Sequence, residues 1–292
     1  MHKPLMVLAA AMTGLVAFSL VGLVVDDRTV LDVAVWLKPL KFGLSFGIYA
    51  VTMAWLIPQL TKARKVAWWA GTVMAVFGLL EVGLIAFQAA RGRMSHFNEE
   101  TALDEQIFTA MGVTIGVFYL GVLAAAVLLL IQRVGDRALT WTLRLGLLIA
   151  MVGMALGFLM VMPTDAQIAA DEGIAGAHSV GVEDGGPGMP VTGWSTTGGD
   201  LRIPHFVGMH ALQLLPLLLF VLTRFVRDEG ARLRLMVVAA ATYAAVLALV
   251  TWQALRGQPL VHPDAATLVA AGLIAAVAAI GVPVAMGRRA RA

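Results

Sequence analysis

Histidines are the side chains in this sequence best suited to binding a metal or haem, because neutral imidazole is a common ligand of zinc, copper, iron and nickel. His205 and His210 are five residues apart, about 140° around a helix, so their rings do not share a helical face. No zinc-finger or His-Glu-x-x-His spacing occurs in the chain. We expect His205 and His210 to be the leading ligands of haem or a transition metal, and three further histidines are candidates: His96, His178 and His262. The alternative is that these histidines only make interfacial hydrogen bonds.

A five-residue motif, Gln-Ala-x-Arg-Gly, occurs at 88–92 and again at 253–257. Its Gln and Arg are three residues apart, which makes them neighbours on a helix surface, and its Gly suits a left-handed helix cap. Arg91 and Arg256 are therefore candidates to hold a carboxylate, a phosphate or haem propionates through paired hydrogen bonds. The alternative, slightly favoured because both copies keep the motif, is structural: each arginine pairs with an acid, Glu99 or Asp264, and fixes the helix end.

Glu81 is the only acidic residue in the middle of an apolar stretch. It precedes Gln88 by seven residues, so the two side chains share a helical face. An ionisable residue within a membrane span indicates a proton relay or a cation site, and Glu81, Gln88 and Gln213 are our candidates for proton coupling. The alternative is a protonated carboxyl that is hydrogen-bonded to a neighbouring helix, with Thr52, Gln213 and Tyr243 at similar depth.

The composition requires that these residues lie in a membrane protein. Residues of types AVILMFWYC make up 60% of the chain and charged residues only 13%, against about a quarter charged in an ordinary soluble domain. A single soluble core cannot hide this excess, so a soluble enzyme, a disordered chain and a disulfide scaffold are excluded. The basic residues are scattered, so no nucleic-acid partner is expected. Neither a Gly-x-Ser-x-Gly elbow nor a P-loop is present to support a hydrolase or an NTPase.

A transmembrane helix needs about 20 predominantly apolar residues, and eight stretches qualify. The sequence therefore predicts an all-α helical bundle that crosses the membrane eight times. The predicted spans are 4–25, 42–60, 66–90, 107–131, 140–162, 204–223, 235–255 and 265–286.

Charge predicts the orientation of these spans, since cytoplasmic loops are enriched in Lys and Arg. With the N-terminus inside, fourteen of the 21 basic residues lie on the inner face, together with only three acids. The count includes Arg288, Arg289 and Arg291 at the C-terminus. We therefore expect both termini inside, five of the six histidines outside, and location in the cytoplasmic (inner) membrane with the lipid bilayer as partner.

The chain is predicted to be a duplicated four-helix unit, because one offset of 165 residues aligns several unlike residue types. It pairs Gln88 with Gln253 and Arg91 with Arg256, and it also pairs Pro39 with Pro204 and Gly43 with Gly208. The first repeat is 1–135 and the second is 136–292. Four spans per repeat return the chain to the same side, so the two repeats are parallel.

The first and fifth spans follow an offset of only about 137, which predicts an insertion of roughly 28 residues within the outer loop 163–203. This loop is rich in Gly and acidic residues and is typical of a functional lid or a linker. The opposing segment 26–41 is shorter and has an apolar middle. It is expected to lie at the membrane interface, anchored by Trp36, Lys38 and Lys41.

Two stretches carry a resemblance that covers most of the chain: the Gln-Ala-Ala-Arg-Gly of 88–92 with the Ser-His-Phe-Asn of 95–98, and the segment 199–213, Gly-Asp-Leu-Arg-Ile-Pro-His-Phe-Val-Gly-Met-His-Ala-Leu-Gln. Together they resemble a group of bacterial polytopic membrane proteins without an assigned activity. The resemblance implies a bacterial cytoplasmic membrane and no particular reaction.

Three functions are compatible with these residues. The first is a metal or haem site at the outer face that serves redox chemistry or metal handling. The second is a secondary transporter of a small anionic or proton-coupled solute, with Glu81 as the coupling carboxyl. The third is a non-catalytic sensor or assembly factor that uses the outer loop to bind a partner.

Overall fold

The computed structural model describes residues 1–163, 165–170 and 173–287, and nearly all of its regular structure is helical. The long helices coincide with the apolar stretches, and polar residues begin several of them. His2, Asp136 and Asp228 each accept a hydrogen bond from the backbone N–H three residues later, as helix N-caps do. The helices are α1 (Lys3–Val25), α2 (Leu37–Leu56), α3 (Arg64–Ala90), α4 (Ala102–Leu130), α5 (Arg137–Leu156), α6 (Asp165–Ala170), α7 (Arg202–Met209), α8 (Ala211–Phe225), α9 (Glu229–Leu255) and α10 (Ala265–Gly287).

Within the described residues, seven helical stretches are long and apolar enough to cross a membrane. Helices α2 and α5 qualify together with the short 3₁₀ turns that extend them to Gln59 and Leu159. Helices α7 and α8 pass only as a pair, and the pair is bent by 45°. The chain therefore has the helices of a multi-pass membrane protein, with seven spans or with eight if the bent pair is one span.

The bend between α7 and α8 lies at His210, whose ψ of 0° interrupts the helix. The sequence predicts a span over 204–223, and the structure places a break within it. Pro216 follows in α8 and has no N–H to donate to the turn before it. The Tyr243 hydroxyl of α9 donates to the Val207 carbonyl at 2.5 Å, so a side chain bonds one carbonyl next to the break.

The contacts divide the chain into two compact units, which we call unit 1 and unit 2. Unit 1 contains 1–128, 159–177 and 183–193, and unit 2 contains 129–158, 178–182 and 194–292. The two segments of the outer loop in unit 1 thus pack with the first four helices, although they follow α5 in the sequence. Arg288, Arg289 and Arg291, which the sequence predicts to lie inside, and the loop acids Asp171 and Glu172 are outside the described residues.

In unit 1, α1 packs along α2 and α3, and α2 also packs on α3. Small residues allow these close approaches. A Cβ at Gly43 of α2 would lie 3.0 Å from the Val16 side chain of α1, and a Cβ at Gly121 of α4 would lie 3.1 Å from the Ala70 carbonyl of α3. The core between the helices is aromatic in part, with the Phe46 and Phe118 rings 5.3 Å apart.

In unit 2, α5 packs on α7, α8 and α9, and α10 packs on α9. Helices α5 and α7 approach closely at Gly153 and Gly208, where a Cβ on either residue would overlap the backbone of the other helix. The core beside it is apolar and includes Leu215, Met236 and Leu247. Backbone contact through glycine is thus what brings α7 against α5.

The segment 26–41 forms a structure that the sequence did not predict. Strands β1 (Thr29–Val30) and β2 (Val33–Ala34) pair antiparallel, and α2 begins at Leu37. Trp36 is buried, and its indole N–H donates to Asp26 at 2.8 Å. Trp36 thus holds this segment to the protein through Asp26, and its position at the membrane interface stays a prediction. The Arg28 side chain and the Trp36 indole hold the pKa of the Asp26 carboxyl well below its usual range.

Part of the loop 163–203, which is predicted to lie outside, is held by a strand pair, by two hydrogen bonds and by an ion pair. Strands β3 (Ser179–Val180) and β4 (Gly199–Asp200) pair antiparallel in unit 2. The buried Asp200 carboxylate accepts the Ser195 backbone N–H at 2.8 Å and pairs with Arg202 at 2.5 Å. In unit 1, the Lys41 ammonium donates to the Thr192 carbonyl at 2.8 Å. These contacts tie both parts of the loop to folded helices.

Candidate functional site

The first Gln-Ala-x-Arg-Gly motif ends α3 and closes on a buried carboxylate. One oxygen of Asp104 accepts from the Arg91 guanidinium at 2.6 Å and from the Gln88 amide at 2.9 Å. The other oxygen accepts from the Thr101 hydroxyl at 2.6 Å, and Thr101 in turn accepts the Asp104 backbone N–H. Asp104 and Gln88 are both fully buried. The charge of Asp104 is therefore paired and hydrogen-bonded, as a buried charge must be to persist.

The predicted partner of Arg91 was Glu99, and this prediction is wrong. Asp104 lies three residues after Thr101, the residue that caps α4, and this position brings its carboxylate back to the end of α3. Two polar residues that precede Thr101, Ser95 and Asn98, have other roles. Asn98 accepts the Glu100 backbone N–H at 3.1 Å, and Ser95 lies beside His96.

The second motif ends α9 in a more exposed ion pair. Arg256 donates to Asp264, as the sequence predicts, and Asp264 also caps α10 by accepting the Thr267 backbone N–H at 2.8 Å. The Arg256 guanidinium and Thr267 hold the pKa of Asp264 well below its usual range. Both motif arginines are thus engaged by carboxylates, which favours their structural role over an anion clamp.

The two motifs close their helices with the same hydrogen bonds. Gly92 and Gly257 have φ of +66° and +70°, which confirms the predicted left-handed caps. The backbone N–H of the residue after each glycine donates to the carbonyl of the motif Gln. Each Gln side chain donates to the carbonyl six residues on, Met94 at 3.2 Å in unit 1 and Pro259 at 2.9 Å in unit 2.

Glu81 lies within α3, about 14 Å along the helix from its end at Ala90. Its side chain is 2% exposed, and it accepts a hydrogen bond of 2.5 Å from the Thr114 hydroxyl of α4. Glu81 makes no ion pair with any residue that the structure describes. None of the three residues predicted at this depth bonds Glu81: Thr52 donates to the Ile48 carbonyl of its own helix and Tyr243 to the Val207 carbonyl. Thr114 takes this role instead.

A polar cluster lies in unit 1 at the predicted outer end of the helices. The Lys38 ammonium is 3.2 Å from His96 Nδ1, and the Ser95 hydroxyl is 3.0 Å from the same nitrogen. An ammonium can only donate, so Nδ1 accepts from Lys38 and the neutral ring carries its hydrogen on Nε2. Lys38 is also close enough to Glu81 to act on it electrostatically. His96 and Glu81 thus share one cationic neighbour.

An apolar layer separates this cluster from Glu81. Ile85, one turn above Glu81, packs in a cluster with Met111 of α4 and with Phe42 of α2. The Phe42 ring lies 6.0 Å from the His96 ring on one side and 6.3 Å from Phe46 on the other. Apolar side chains therefore pack between the start of the polar cluster at His96 and the turn of α3 that follows Glu81.

His205 and His210 lie in unit 2 on either side of the last turn of α7. His205 Nδ1 is 2.8 Å from the Gly153 carbonyl of α5, and because a carbonyl only accepts, Nδ1 carries the hydrogen. His210 stacks on Phe206 at 6.4 Å and is close enough to His205 to act on it electrostatically. The Gln213 side chain lies next to the His210 ring. His205, His210 and the Gln213 amide therefore lie close together at the helix break.

The five predicted histidine ligands do not form one cluster within a unit. His96 belongs to unit 1, whereas His178, His205, His210 and His262 belong to unit 2, and the His262 side chain is exposed. No group of three or more His, Cys, Asp or Glu placed to hold a metal ion occurs among the described residues. The prediction of a metal centre thus gains no support from this arrangement.

His2, the remaining histidine, has a structural role. Its Nε2 is 3.0 Å from the Trp68 carbonyl, and its Nδ1 accepts the Leu5 backbone N–H at 3.4 Å. Burial lowers the pKa of His2. The neutral ring thus caps α1 and fixes it to the start of α3.

Sequence reasoning missed the roles of Thr101, Asp104 and Thr114 in these contacts. A Thr followed three residues later by Asp, before an apolar run, is a helix-capping pattern and was a usable signal for Thr101. Thr114 lies among apolar residues of α4 with no polar residue within three positions. Only the packing of α4 on α3 shows that it faces Glu81.

Comparison with protein-family models, with curated proteins and with solved structures finds no match for this chain. Its class therefore follows from its own helices, which are those of a multi-pass helical membrane protein. Inference about its activity has to come from the side chains described above.

Proposed function

We propose that the protein moves protons, alone or coupled to a small solute, across its membrane, and that Glu81 is the carboxyl that binds and releases the proton. The observation that supports this most directly is the burial of Glu81 without an ion-pair partner among the described residues. A charged carboxylate is costly in such surroundings. Ionisable groups buried within spans are rare for this reason, and in pumps and transporters they form proton relays.

The contrast with Asp104 supports a functional role for Glu81. Both carboxyl groups are buried in unit 1, but Asp104 is bonded by Arg91, Gln88 and Thr101. Glu81 has one hydroxyl donor and a lysine at longer range. Asp104 is therefore fixed in its charged form by its partners, whereas Glu81 has neighbours that tolerate both protonation states.

The surroundings of Glu81 also contain polar groups that could pass a proton to it and apolar side chains that could keep water from it. Lys38, Ser95 and His96 form a hydrogen-bonded cluster at the predicted outer face, and the ring nitrogens of histidine carry protons readily near neutral pH. The apolar cluster of Phe42, Ile85 and Met111 lies between that cluster and Glu81. Displacement of these side chains would admit water to the carboxyl, which is how the proposed protein would gate access from the outside.

Infrared spectroscopy of the purified protein tests the role of Glu81 without knowledge of a solute. We expect a protonated-carboxyl band that disappears reversibly when the buffer is made alkaline and that is missing in Glu81→Gln. Glu100→Gln, which removes an exposed acid of unit 1 paired with Arg93, is the matched control and should keep the band. A band from Glu81 that stays unchanged from acidic to alkaline buffer would identify a permanently neutral structural carboxyl and overturn the proposal.

A second candidate function, haem or transition-metal binding at the break of α7 and α8, rests on His205. Its Nδ1–H donates to the Gly153 carbonyl, so Nε2 carries the lone pair, and ligating histidines are commonly oriented by such a second bond. His210 would be the other ligand. This candidate predicts a chromophore or bound metal, detectable by absorption and elemental analysis, that His205→Ala and His210→Ala lose and His262→Ala keeps. A colourless, metal-free protein that also fails to bind haem or metal on titration would reject it.

We also propose that the chain has eight spans with both termini inside, that it consists of two copies of one four-helix unit, and that it resides in a bacterial cytoplasmic membrane. The bounds of α3 and α9, 64–90 and 229–255, differ by the predicted offset of 165 at both ends, and the two helices have the same glycine cap at their C-terminal ends. Gly43 approaches Val16 of α1, and its counterpart Gly208 approaches Gly153 of α5. Residues 16 and 153 differ by 137, the offset predicted for the first helix of each copy.

A further inference from the structure

A cleft in unit 2, at the connection between α4 and α5, is lined by three arginines. It has a volume of about 370 Å³, and its lining residues are Arg133, Arg137, Thr140, Trp141 and Arg144. The connection joins two apolar helices, so the cleft lies at a membrane surface, and the charge count predicts that this is the inner one. Nothing in the proposed proton chemistry uses these residues.

Hydrogen bonds to backbone groups fix the shape of the cleft and leave the charges of its arginines unpaired with any carboxylate in the described part of the chain. The buried Thr140 hydroxyl donates to the Val134 carbonyl at 2.8 Å and accepts the Val134 N–H at 3.0 Å, which fixes the loop that carries Arg133. Arg144 donates to the Leu129 and Gln132 carbonyls at 3.1 and 3.0 Å. These two bonds use only part of the five N–H donors of a guanidinium. The shape of the cleft is therefore built in by the fold.

Two of the three arginines are available to a ligand. The guanidinium groups of Arg133 and Arg137 have no hydrogen-bond or ion-pair partner among the residues that the structure describes. The two nearby carboxylates bond other groups than these guanidiniums: Glu229 accepts the Arg137 backbone N–H at 2.9 Å, and Asp136 accepts the Leu139 N–H at 2.8 Å and pairs with Arg232. With three arginines in its lining, the cleft presents a net positive charge to an anion.

We propose that this cleft binds the phosphate of an anionic phospholipid headgroup. Arginine pairs with phosphate through parallel hydrogen bonds, and basic pockets between transmembrane helices on the cytoplasmic side are suited to such headgroups. The surface next to the cleft favours a lipid over a free phosphate ion. Trp141, Leu148 and Val152 are exposed on one face of α5, where they offer an apolar track for the acyl chains. Arg144 stacks on the Trp141 ring at 5.2 Å, which joins the charged cleft to this track.

Native mass spectrometry of the protein mixed with phosphatidylglycerol or with phosphatidylcholine tests the proposal. We expect preferential binding of phosphatidylglycerol and a loss of roughly 10- to 30-fold in its affinity in the double variant Arg133→Gln/Arg137→Gln, since each of the two basic residues contributes about fivefold or somewhat less. Both side chains are exposed, so the variant is expected to fold. Arg224→Gln/Arg227→Gln removes the same charge elsewhere on the predicted inner face and should leave the affinity unchanged.

Two results would overturn the proposal. One is an equal loss of lipid binding in the two double variants, which would mean that only the overall charge matters. The other is binding of inorganic phosphate in a zwitterionic nanodisc that depends on Arg133 and Arg137, with no preference among lipids. That result would assign the cleft to a soluble anion.

Discussion

Two carboxylates that neutralise the motif arginines differ in burial, and this difference predicts different contributions to stability. Asp104 is buried and bonded by three side chains, whereas Asp264 pairs with Arg256 at the surface. We expect Asp104→Asn to lower the free energy of unfolding by about 1–3 kcal/mol, because it leaves Arg91 and its neighbours poorly matched. Asp264→Asn keeps the helix cap and should cost much less, since exposed ion pairs contribute little.

The measurement is the melting temperature of each variant in the same detergent, with wild type as reference. Thr267→Ser, a conservative change beside Asp264, is the control for effects of substitution and purification that do not involve the ion pair. Equal melting temperatures for Asp104→Asn and Asp264→Asn would contradict the assigned roles.

The buried His2 ring should make the stability of the first turn of α1 depend on pH. Burial lowers its pKa in the folded protein, so the folded state favours the neutral ring that accepts the Leu5 N–H. The stabilisation is present above the ordinary histidine pKa of about 6.5 and is lost as the pH falls from there towards the lowered value, because the unfolded state binds the proton more readily. After correction for intrinsic rates, hydrogen exchange of the first turn of α1 should therefore be faster at acidic than at neutral pH.

The variant His2→Asn separates titration from capping, since Asn caps helices without titrating in this range. It should exchange with little pH dependence over the same interval. Exchange in wild type that shows no more pH dependence than in His2→Asn would show that the ring does not control the helix end.

At the scale of elements, the crossing of α5 and α7 depends on two glycines. A side chain at Gly153 or Gly208 would overlap the opposite backbone, so each Gly→Ala change should push the helices apart at a cost of about 1–3 kcal/mol. Gly272 of α10 has open space where its Cβ would lie, and Gly272→Ala should be neutral or slightly stabilising. Thermal unfolding of the three variants checks this, and a Gly153→Ala variant as stable as Gly272→Ala would contradict the close crossing.

The sequence predicted the long apolar helices and the glycine caps. Both are local features, because the length of an apolar stretch and a glycine at the end of a helix can be recognised without knowledge of distant contacts. It predicted the Arg256–Asp264 pair for the same reason, since a short loop joins the two residues. It failed for Arg91, whose partner Asp104 depends on the path of a longer loop, and for Thr114, which gives no signal among apolar neighbours. The hairpin at 29–34 and the break at His210 were also missed. These features depend on contacts between residues that are distant in the sequence. Such contacts leave no periodic pattern of apolar and polar residues from which they could be predicted.

For the molecule as a whole, the predicted topology can be checked with cysteine labelling, because the chain contains no cysteine of its own. Thr61→Cys and Thr196→Cys lie in connections predicted to face the inside and the outside, respectively. We expect a membrane-impermeant maleimide to label Thr196→Cys in intact cells and to label Thr61→Cys only after the cells are opened. The reverse pattern would contradict the orientation predicted from the charges.

The central claim is that the protein moves protons through Glu81, and potential-driven proton uptake into proteoliposomes tests it most directly. A potassium gradient with valinomycin supplies the voltage, and a trapped pH indicator reports the protons. We predict uptake with wild type and with the control Glu100→Gln, reduced uptake with Glu81→Asp and none above empty vesicles with Glu81→Gln. Uptake by Glu81→Gln at the wild-type rate would contradict the account.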